Sequence, residues 1–114
     1  MNCPFCQIIA GEKPAKKVYE DEEIVAFHDT RHVAPVHILI IPKKHITNLA
    51  GATEEDIRVL GKIQFLSRKI AEEMGVADGF RLASASGSKV GQTVFHLHYH
   101  LIGGWEGKAP RIWE

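Results

Sequence analysis

The sequence has no excess of either charge, since 14 lysine and arginine residues balance 14 aspartate and glutamate residues in a chain of 114. Proteins that bind nucleic acids or anionic membranes concentrate lysine and arginine, so we expect neither partner. No apolar run is long enough to span a bilayer. The opening residues, MNCPFCQIIAGEK, lack the basic segment and the long apolar stretch of a signal peptide. With only two cysteines, we expect a cytoplasmic protein, folded as one domain over residues 1–114.

The order of β-rich and helical patterns predicts an α+β fold. KVYED and EIVAFHD, separated by an acidic turn, predict a hairpin, and HILIIP, FRLASAS and VFHLHYHLI predict three more strands. PFCQIIA before Gly11 predicts a short helix, and residues 52–74 predict a long one between an N-cap at Thr53 and Gly75. The expected apolar stripe of that helix is Ile57, Leu60, Ile63, Ser67 and Ile70. We therefore expect a five-stranded antiparallel sheet with one long and one short helix.

Three of the seven histidines occupy alternate positions of the last predicted strand, at His96, His98 and His100. Alternate side chains of a strand share a face, so the three imidazoles are expected to lie together. Four interpretations are open. The row is an accident of a structural strand, a metal site, the phosphate-holding part of a non-enzymatic nucleotide-binding module, or a nucleophilic centre in which one histidine attacks phosphorus.

The residues before the row favour phosphate. Gly91 allows a ligand to approach the backbone closely, and Gln92 and Thr93 can donate hydrogen bonds to phosphate oxygens, although the same residues also suit a plain turn. Phe27 and Asp29, at the end of a predicted strand, offer an aromatic wall and a carboxylate for the two ribose hydroxyls.

Cys3 and Cys6 form a C-x-x-C pair that the residues alone leave undecided. A redox motif, a disulfide, two core cysteines and half of a zinc site are all possible. A thioredoxin-like motif requires a preceding strand, which is not predicted here. A structural zinc site requires two further ligands.

The stretch GQTVFHLHYHLIGG resembles the histidine triad family, whose signature alternates three histidines with apolar residues. The Gly103–Gly104 pair makes it most similar to the Hint branch, the histidine triad nucleotide-binding proteins, rather than to the diadenosine-polyphosphate hydrolases. VYEDEEIVAFHD and HILIIPKKHI also resemble that branch, so the similarity covers about residues 3–104.

The resemblance implies a role for each matching residue. His98 corresponds to the nucleophile, within a catalytic set that also contains His96, His100, His37 and Thr93. The nucleotide-binding set that it implies is Phe5, Ile8, Phe27, His28, Asp29, Gln92, Thr93, His98 and His100. Family members with this C-x-x-C bind a structural zinc, which here implies Cys3, Cys6, His45 and His96 as ligands, and no organic cofactor.

The expected function is hydrolysis of purine nucleoside phosphoramidates, or of aminoacyl-adenylate-type substrates, through a nucleotidyl-histidine intermediate. A dinucleoside polyphosphate hydrolase and a non-catalytic nucleotide-binding module are the alternatives. We also expect a homodimer, because Val59, Phe65 and Leu66 widen the apolar stripe of the long helix beyond what one sheet face needs. Two departures from the family pattern are Ala85, where many relatives have asparagine, and the C-terminal tail. In a dimer we expect this tail, with Trp105 and Trp113, to reach the partner's site and to tune which leaving group is accepted.

Overall fold

The computed structural model describes residues 3–111. These residues form the predicted α+β architecture, with one short helix, one long helix and five strands. In chain order the elements are α1 (Pro4–Ile9), β1 (Lys17–Glu20), β2 (Ile24–His28), β3 (Val36–Pro42), α2 (Ile57–Glu73), β4 (Phe80–Ala83) and β5 (Tyr99–Gly103). Single 3-10 turns occupy Leu49–Gly51, Glu54–Asp56 and Ser88–Val90. None of the helices within residues 3–111 combines the length and the hydropathy that crossing a membrane requires.

The five strands form one antiparallel sheet in the order β1-β2-β3-β5-β4. β1 and β2 form the predicted hairpin, and β3 is the central strand. In the register between β3 and β5, Leu39 is opposite His100 and His37 is opposite Ile102. His37 and His100 are therefore diagonal neighbours, and both side chains point to the same face.

The two faces of the sheet bury different sets of side chains. Ile24 and Ala26 of β2 belong to the core between the sheet and α2. Val25 and Phe27 of the same strand belong to a second core beneath α1. This alternation follows from the two-residue period of a strand, which here is buried on both faces. The histidine row lies on the α1 face, because Leu97, Tyr99 and Leu101 fill the core on the α2 face.

The long helix begins and ends close to the predicted residues. Thr53 and Asp56 form a capping box, and the α-helix itself runs from Ile57 to Glu73 after one 3-10 turn. The predicted stripe was partly wrong, because Ile57 is 67% exposed. The helical residues that the fold buries are Val59, Ile63, Leu66, Ser67, Ile70 and Ala71. The buried face is thus rotated toward Val59 and Leu66, and these two residues serve the core of one chain rather than an additional surface.

The last strand is shorter than predicted. Hydrogen-bonded pairing in β5 begins at Tyr99, so His96 and His98 lie before the strand, and only His100 lies within it. β4 likewise ends at Ala83, three residues earlier than the FRLASAS pattern predicts. The connection between β4 and β5 is therefore longer than predicted, and it includes His96 and His98.

The Gly103–Gly104 pair has a steric explanation. A Cβ atom at Gly103 would lie 2.9 Å from the backbone oxygen of Gly79, a separation that no side chain tolerates. Gly104 has a φ of +90° and so adopts a backbone conformation that other residues rarely reach. The pair thus allows β5 to pass close to the turn before β4 and then to leave the sheet.

Candidate active site

The three histidines of the row lie together on the α1 face, although only one of them belongs to a strand. The rings of His98 and His100 are 4.9 Å apart between centroids. The ring of Phe5 packs edge-on against His98 at 5.1 Å and against His96 at 5.9 Å. The extended chain before β5 therefore preserves the alternation that the strand prediction relied on.

The protonation of His98 is fixed by the backbone. Its Nδ1 lies 2.8 Å from the carbonyl oxygen of His96, which can only accept a hydrogen bond. Nδ1 therefore carries the proton, and Nε2 keeps its lone pair. An imidazole held in this tautomer presents a nucleophilic nitrogen on the side opposite its backbone contact.

His100 and His37 form a second pair whose hydrogen atoms can be traced in the same way. The backbone N–H of Val33 donates to Nδ1 of His37 at 3.1 Å, so the proton of a neutral His37 is on Nε2. That Nε2 lies 2.8 Å from Nδ1 of His100 and donates to it. His100 consequently carries its own proton on Nε2, where it can donate to an anion.

Burial keeps both of these imidazoles neutral. Burial, reinforced by the nearby His98 and His37, lowers the pKa of His100 to about 4. Burial also lowers the pKa of His37, against the opposing effect of Asp29. At neutral pH the pair is therefore a chain of neutral hydrogen bonds rather than a positive charge.

Asp29 lies at the edge of this histidine pair. Its Oδ2 is 3.4 Å from Nε2 of His37, and its Oδ1 accepts a hydrogen bond from the backbone N–H of Arg31 at 2.8 Å. Asp29, His37 and His100 bring their donor atoms within 4.8 Å of one another. They do not suit a metal, because the Val33 N–H at Nδ1 requires the proton of His37 to be on Nε2, the atom that would have to bind the ion.

The predicted nucleoside pocket is apolar and aromatic. Phe5 and Phe27 pack edge to face with their ring centroids 5.6 Å apart, and Ile8 belongs to the same buried cluster. His28, at the end of β2, is half-buried, and burial together with Lys16 lowers its pKa. The structure thus brings Phe5, Ile8 and Phe27 together beside His98.

The loop before the histidines differs from the prediction at Gln92. This side chain is buried, and its amide group is fully used within the protein. Its Oε1 accepts from Asn48 Nδ2 at 3.0 Å and from the Gly87 N–H at 2.8 Å. Its Nε2 donates to the carbonyl oxygens of Thr47 and Val94. No side-chain donor is left for a phosphate, so the predicted phosphate contact of Gln92 is replaced by a structural role.

Thr93, the second predicted phosphate contact, follows directly after Gln92. It is exposed, and within residues 3–111 its hydroxyl forms no hydrogen bond. Gly91, two residues earlier, has a φ of +96°, which explains why a glycine is needed at this bend. The bend directs the chain from the 3-10 turn at Ser88–Val90 into the approach to His96.

The four predicted metal ligands converge at one end of α1. The donor atoms of Cys3, Cys6, His45 and His96 all lie within 4.8 Å of one another. Cys6 Sγ is 3.2 Å from His45 Nδ1 and 3.6 Å from His96 Nδ1, and Cys3 Sγ is 3.5 Å from His96 Nδ1. Tetrahedral zinc, with bonds of about 2.0–2.3 Å, separates its ligand atoms by roughly 3.3–3.8 Å, so these spacings fit zinc closely.

The protonation of His96 also suits a metal. Its Nε2 donates to the carbonyl oxygen of Pro42 at 2.8 Å, which leaves the Nδ1 lone pair directed at the two thiols. Burial lowers the pKa of His96 and keeps the ring neutral, as a ligand must be. Burial and the adjacent Cys3 raise the pKa of the Cys6 thiol, so a bound cation is what would favour its deprotonation.

Two contributors to this site were not found from the sequence. Asn48 holds Gln92, and the backbone of Val33 sets the protonation of His37. Neither residue belongs to a motif, and a backbone N–H leaves no trace in the side-chain pattern. Asn48 is 44 residues from Gln92 in sequence, and the Val33 N–H reaches His37 because the chain before β3 folds back on that side chain.

Comparison with known proteins shows the family to which this chain belongs. A family model described as "Scavenger mRNA decapping enzyme C-term binding" matches residues 2–109. A HIT-like protein from Synechocystis is 48% identical over 100 residues, which cover 88% of both chains. Protein HitA from Neisseria gonorrhoeae is 47% identical over 102 residues, covering 90% of this chain and 95% of that one. The chain therefore belongs to the HIT, or histidine triad, family.

Solved structures agree with this assignment. A HIT family hydrolase from Clostridium thermocellum superposes with a TM-score of 0.92 at 47% identity, covering 98% of this chain and 97% of that one. A histidine triad protein from Clostridium difficile superposes with a TM-score of 0.89 at 42% identity, covering 97% of each chain. These similarities confirm the predicted fold and family, and they relate the chain to HIT family hydrolases.

Proposed function

We propose that this protein is a purine nucleoside phosphoramidase of the Hint type. It would hydrolyse nucleoside 5'-phosphoramidates, or related aminoacyl-adenylate-type substrates, through a nucleotidyl intermediate on His98. The single observation that carries the proposal is the 2.8 Å contact between His98 Nδ1 and the His96 carbonyl oxygen. This hydrogen bond places the ring proton on Nδ1 and leaves the Nε2 lone pair available for attack. The carbonyl oxygen also stabilises the positive charge that develops on the ring during attack.

The first step forms one bond and breaks another at the α-phosphorus. The Nε2 lone pair of His98 attacks, the phosphorus–nitrogen bond breaks, and the amine leaves after taking up a proton that solvent supplies through the Thr93 hydroxyl. His100 donates from Nε2 to a phosphate oxygen, so the developing negative charge meets a donor that is already oriented. Because His100 is neutral, it donates this hydrogen bond without forming a tight ion pair with the phosphate.

The second step returns the enzyme to its starting state. Water attacks phosphorus, the phosphorus–Nε2 bond breaks, and the nucleoside monophosphate leaves as the proton of the water passes to solvent. Imidazole is a good leaving group near neutral pH, because its own basicity is modest. Asp29 is proposed to bind the ribose, while Phe5, Ile8 and Phe27 enclose the base.

Zinc is proposed as a structural ion bound by Cys3, Cys6, His45 and His96. It would fix α1, which carries Phe5, to the segment that carries the nucleophile. Four protein ligands close a tetrahedral site and leave no position for substrate. We assign the ion no chemical step.

Removing the nucleophile tests the proposal directly. His98→Ala should lower kcat/KM for adenosine 5'-phosphoramidate by on the order of 10⁴-fold or more, because the covalent route is lost while AMP binding persists. Rapid-quench mass spectrometry should detect an AMP adduct on the unmodified protein and none on the variant. His32→Ala, at an exposed histidine outside the site, is the control. A His98→Ala protein that retains most of its activity would contradict the mechanism.

A substrate comparison separates the proposal from its alternatives. Turnover of adenosine 5'-phosphoramidate should exceed that of diadenosine tetraphosphate. The reverse preference would make the protein a dinucleoside polyphosphate hydrolase. AMP binding with no turnover of either compound would make it a non-catalytic nucleotide-binding module.

A further inference from the structure

The residues that follow His45 are bonded, one after another, to the loop that leads into the histidine row. The carbonyl oxygen of Ile46 accepts from the Leu97 N–H, and that of Thr47 accepts from Gln92 Nε2 at 2.9 Å. Asn48 donates to Gln92 Oε1, and the Leu49 N–H donates to Ser86 Oγ at 3.1 Å. Residues 46–49 thus contact both ends and the middle of the loop at 86–97.

The side chain of Asn48 makes two contacts with different purposes. Its Oδ1 accepts from the Gly51 N–H at 3.0 Å and so caps the 3-10 turn at Leu49–Gly51. Its Nδ2 donates to Gln92 Oε1 at 3.0 Å. The first contact is local to one turn, whereas the second crosses between segments 44 residues apart in sequence.

Gln92 is held by this contact together with three others. Its Oε1 also accepts from the backbone N–H of Gly87 at the start of the loop, and its Nε2 donates to the carbonyl oxygens of Thr47 and Val94. The backbone N–H of Gln92 donates to the Gly87 carbonyl oxygen. The next residue is the exposed Thr93, which the proposed function places beside the phosphate.

We propose that Asn48 is a positioning residue for the phosphate-binding loop, acting through Gln92; this inference rests on the proposed function, in which Thr93 faces the phosphate. Asn48 does not touch the substrate. It helps to anchor the Gln92 side chain, together with Gly87, Thr47 and Val94, and through Gln92 it restricts the position of Thr93 relative to an anion beside His98 and His100. The residue recognises no part of the base or ribose.

This role predicts an effect that depends on the phosphate. Substitution of Asn48 should weaken binding of a ligand that carries a phosphate and leave binding of the corresponding nucleoside unchanged. Loss of one hydrogen bond of this kind is worth about 1 kcal/mol, which corresponds to roughly a fivefold change in affinity. A residue that served only the stability of the fold would change the two affinities together or not at all.

The test uses Asn48→Ser and Asn48→Ala in the full chain. Serine retains an oxygen that can cap the turn at Leu49–Gly51 but is too short to reach Gln92, and alanine retains neither contact. Calorimetric titration should show AMP affinity falling about fivefold in both variants, with adenosine affinity within about twofold of the unmodified protein. The melting temperature should fall more for alanine than for serine. Ala50→Ser, at an exposed position of the same turn, is the matched control and should change none of these values.

Hydrogen exchange at the Gly87 amide provides a measurement that is independent of nucleotides. This N–H is protected by Gln92 Oε1, so it should exchange about fivefold faster in Asn48→Ser. A serine variant with the AMP-to-adenosine ratio and the Gly87 exchange rate of the unmodified protein would overturn the proposal. Accelerated exchange in a protein that binds AMP no more tightly than adenosine would keep the Asn48–Gln92 linkage and instead reject the proposed phosphate site.

Discussion

At the scale of single residues, backbone groups determine what the histidines can do. The carbonyl oxygen of His96 accepts a hydrogen bond from His98, and that of Pro42 accepts one from His96. The N–H of Val33 determines the tautomer of His37. Four similar imidazoles are thereby held in defined tautomers, which suit the proposed roles of nucleophile, zinc ligand, donor and relay. The two-residue period predicted that His96, His98 and His100 share a face, whereas His37 and His45 were implied by the family resemblance. The sequence could not predict their tautomers, because backbone groups determine them and are not part of the side-chain pattern; one of these groups, the carbonyl of Pro42, is 54 residues from His96.

Burial of the histidine pair predicts how stability depends on pH. The pKa of His100 is lowered to about 4 and that of His37 is also lowered, so the unfolded chain binds protons that the folded chain excludes. The free energy of unfolding should therefore fall as the pH decreases from about 6.5 toward 4. Urea unfolding of the metal-free protein at pH 7, 6 and 5 measures this slope.

A double variant tests the assignment. His37→Gln with His100→Gln should reduce the slope between pH 6.5 and 5 without abolishing it, because burial also lowers the pKa values of His28 and His96. Lys108→Gln, at an exposed position of the tail, should leave the slope unchanged. The lowered pKa values of Asp21, Glu20 and Glu23 act only below their ordinary values near 4, so these carboxylates do not account for this range. A free energy of unfolding that is constant from pH 7 to pH 5 would contradict the neutral state of the pair.

At the scale of elements, the strands and helices were largely predictable, and the loop between β4 and β5 was not. Period and capping signals identified both helices and all five strands, with errors at the ends of β4 and β5. The buried face of α2 differs from the predicted stripe because Ile57, in the first turn, is exposed, whereas Val59 and Leu66 are buried. Gln92 was assigned to phosphate because its residue type suits that task. Its partners Thr47 and Asn48 come from another segment, and only the fold brings them to it.

Removal of zinc should affect α1 more than catalysis. Protein purified without chelator should contain about one zinc per chain, because four ligands close the site. Chelation, or Cys6→Ser, should lower the melting temperature markedly and lower kcat/KM much less. His45→Ala should behave in the same way, with His32→Ala as the control for loss of an exposed histidine. A metal-free protein of unchanged melting temperature would show that Cys3 and Cys6 are ordinary packed thiols.

At the scale of the whole molecule, the described part of the C-terminal tail packs against its own chain. The guanidinium of Arg81 lies 5.8 Å from the ring centroid of Trp105 and donates to the carbonyl oxygen of Pro110 at 2.7 Å. The tail is therefore anchored beside the edge strand β4 as far as the structure describes it. The prediction that Trp113 reaches the site of a partner concerns a residue outside residues 3–111.

Deletion of the residues after Gly104 tests what the tail does. We expect the truncated protein to change its preference among amine leaving groups while still forming the AMP adduct on His98, because the tail contributes no group to the covalent step. The measurement is kcat/KM for a series of adenosine phosphoramidates that differ in their amine, with Lys108→Ala as the control for a change within an intact tail. Identical preferences before and after truncation would restrict the tail to packing against Arg81.

Fewer apolar residues of α2 are exposed for the predicted homodimer than the sequence indicated. Val59 and Leu66 are buried within one chain, whereas Phe65 is 69% exposed and Ile57 67% exposed on α2. β4 is an edge strand, so its outer hydrogen-bonding groups also face outward. A second copy that covers these two features would remove both apolar side chains and the open edge from solvent.

Light scattering at micromolar concentration should give twice the mass of 12.7 kDa, and Phe65→Asp should shift the protein toward monomer. Val33→Asp places the same charge at a side chain that is 72% exposed and far from α2 in sequence, so it should leave the mass unchanged. A monomer mass for the unmodified protein would reject the dimer and, with it, any role of the tail at a partner's site.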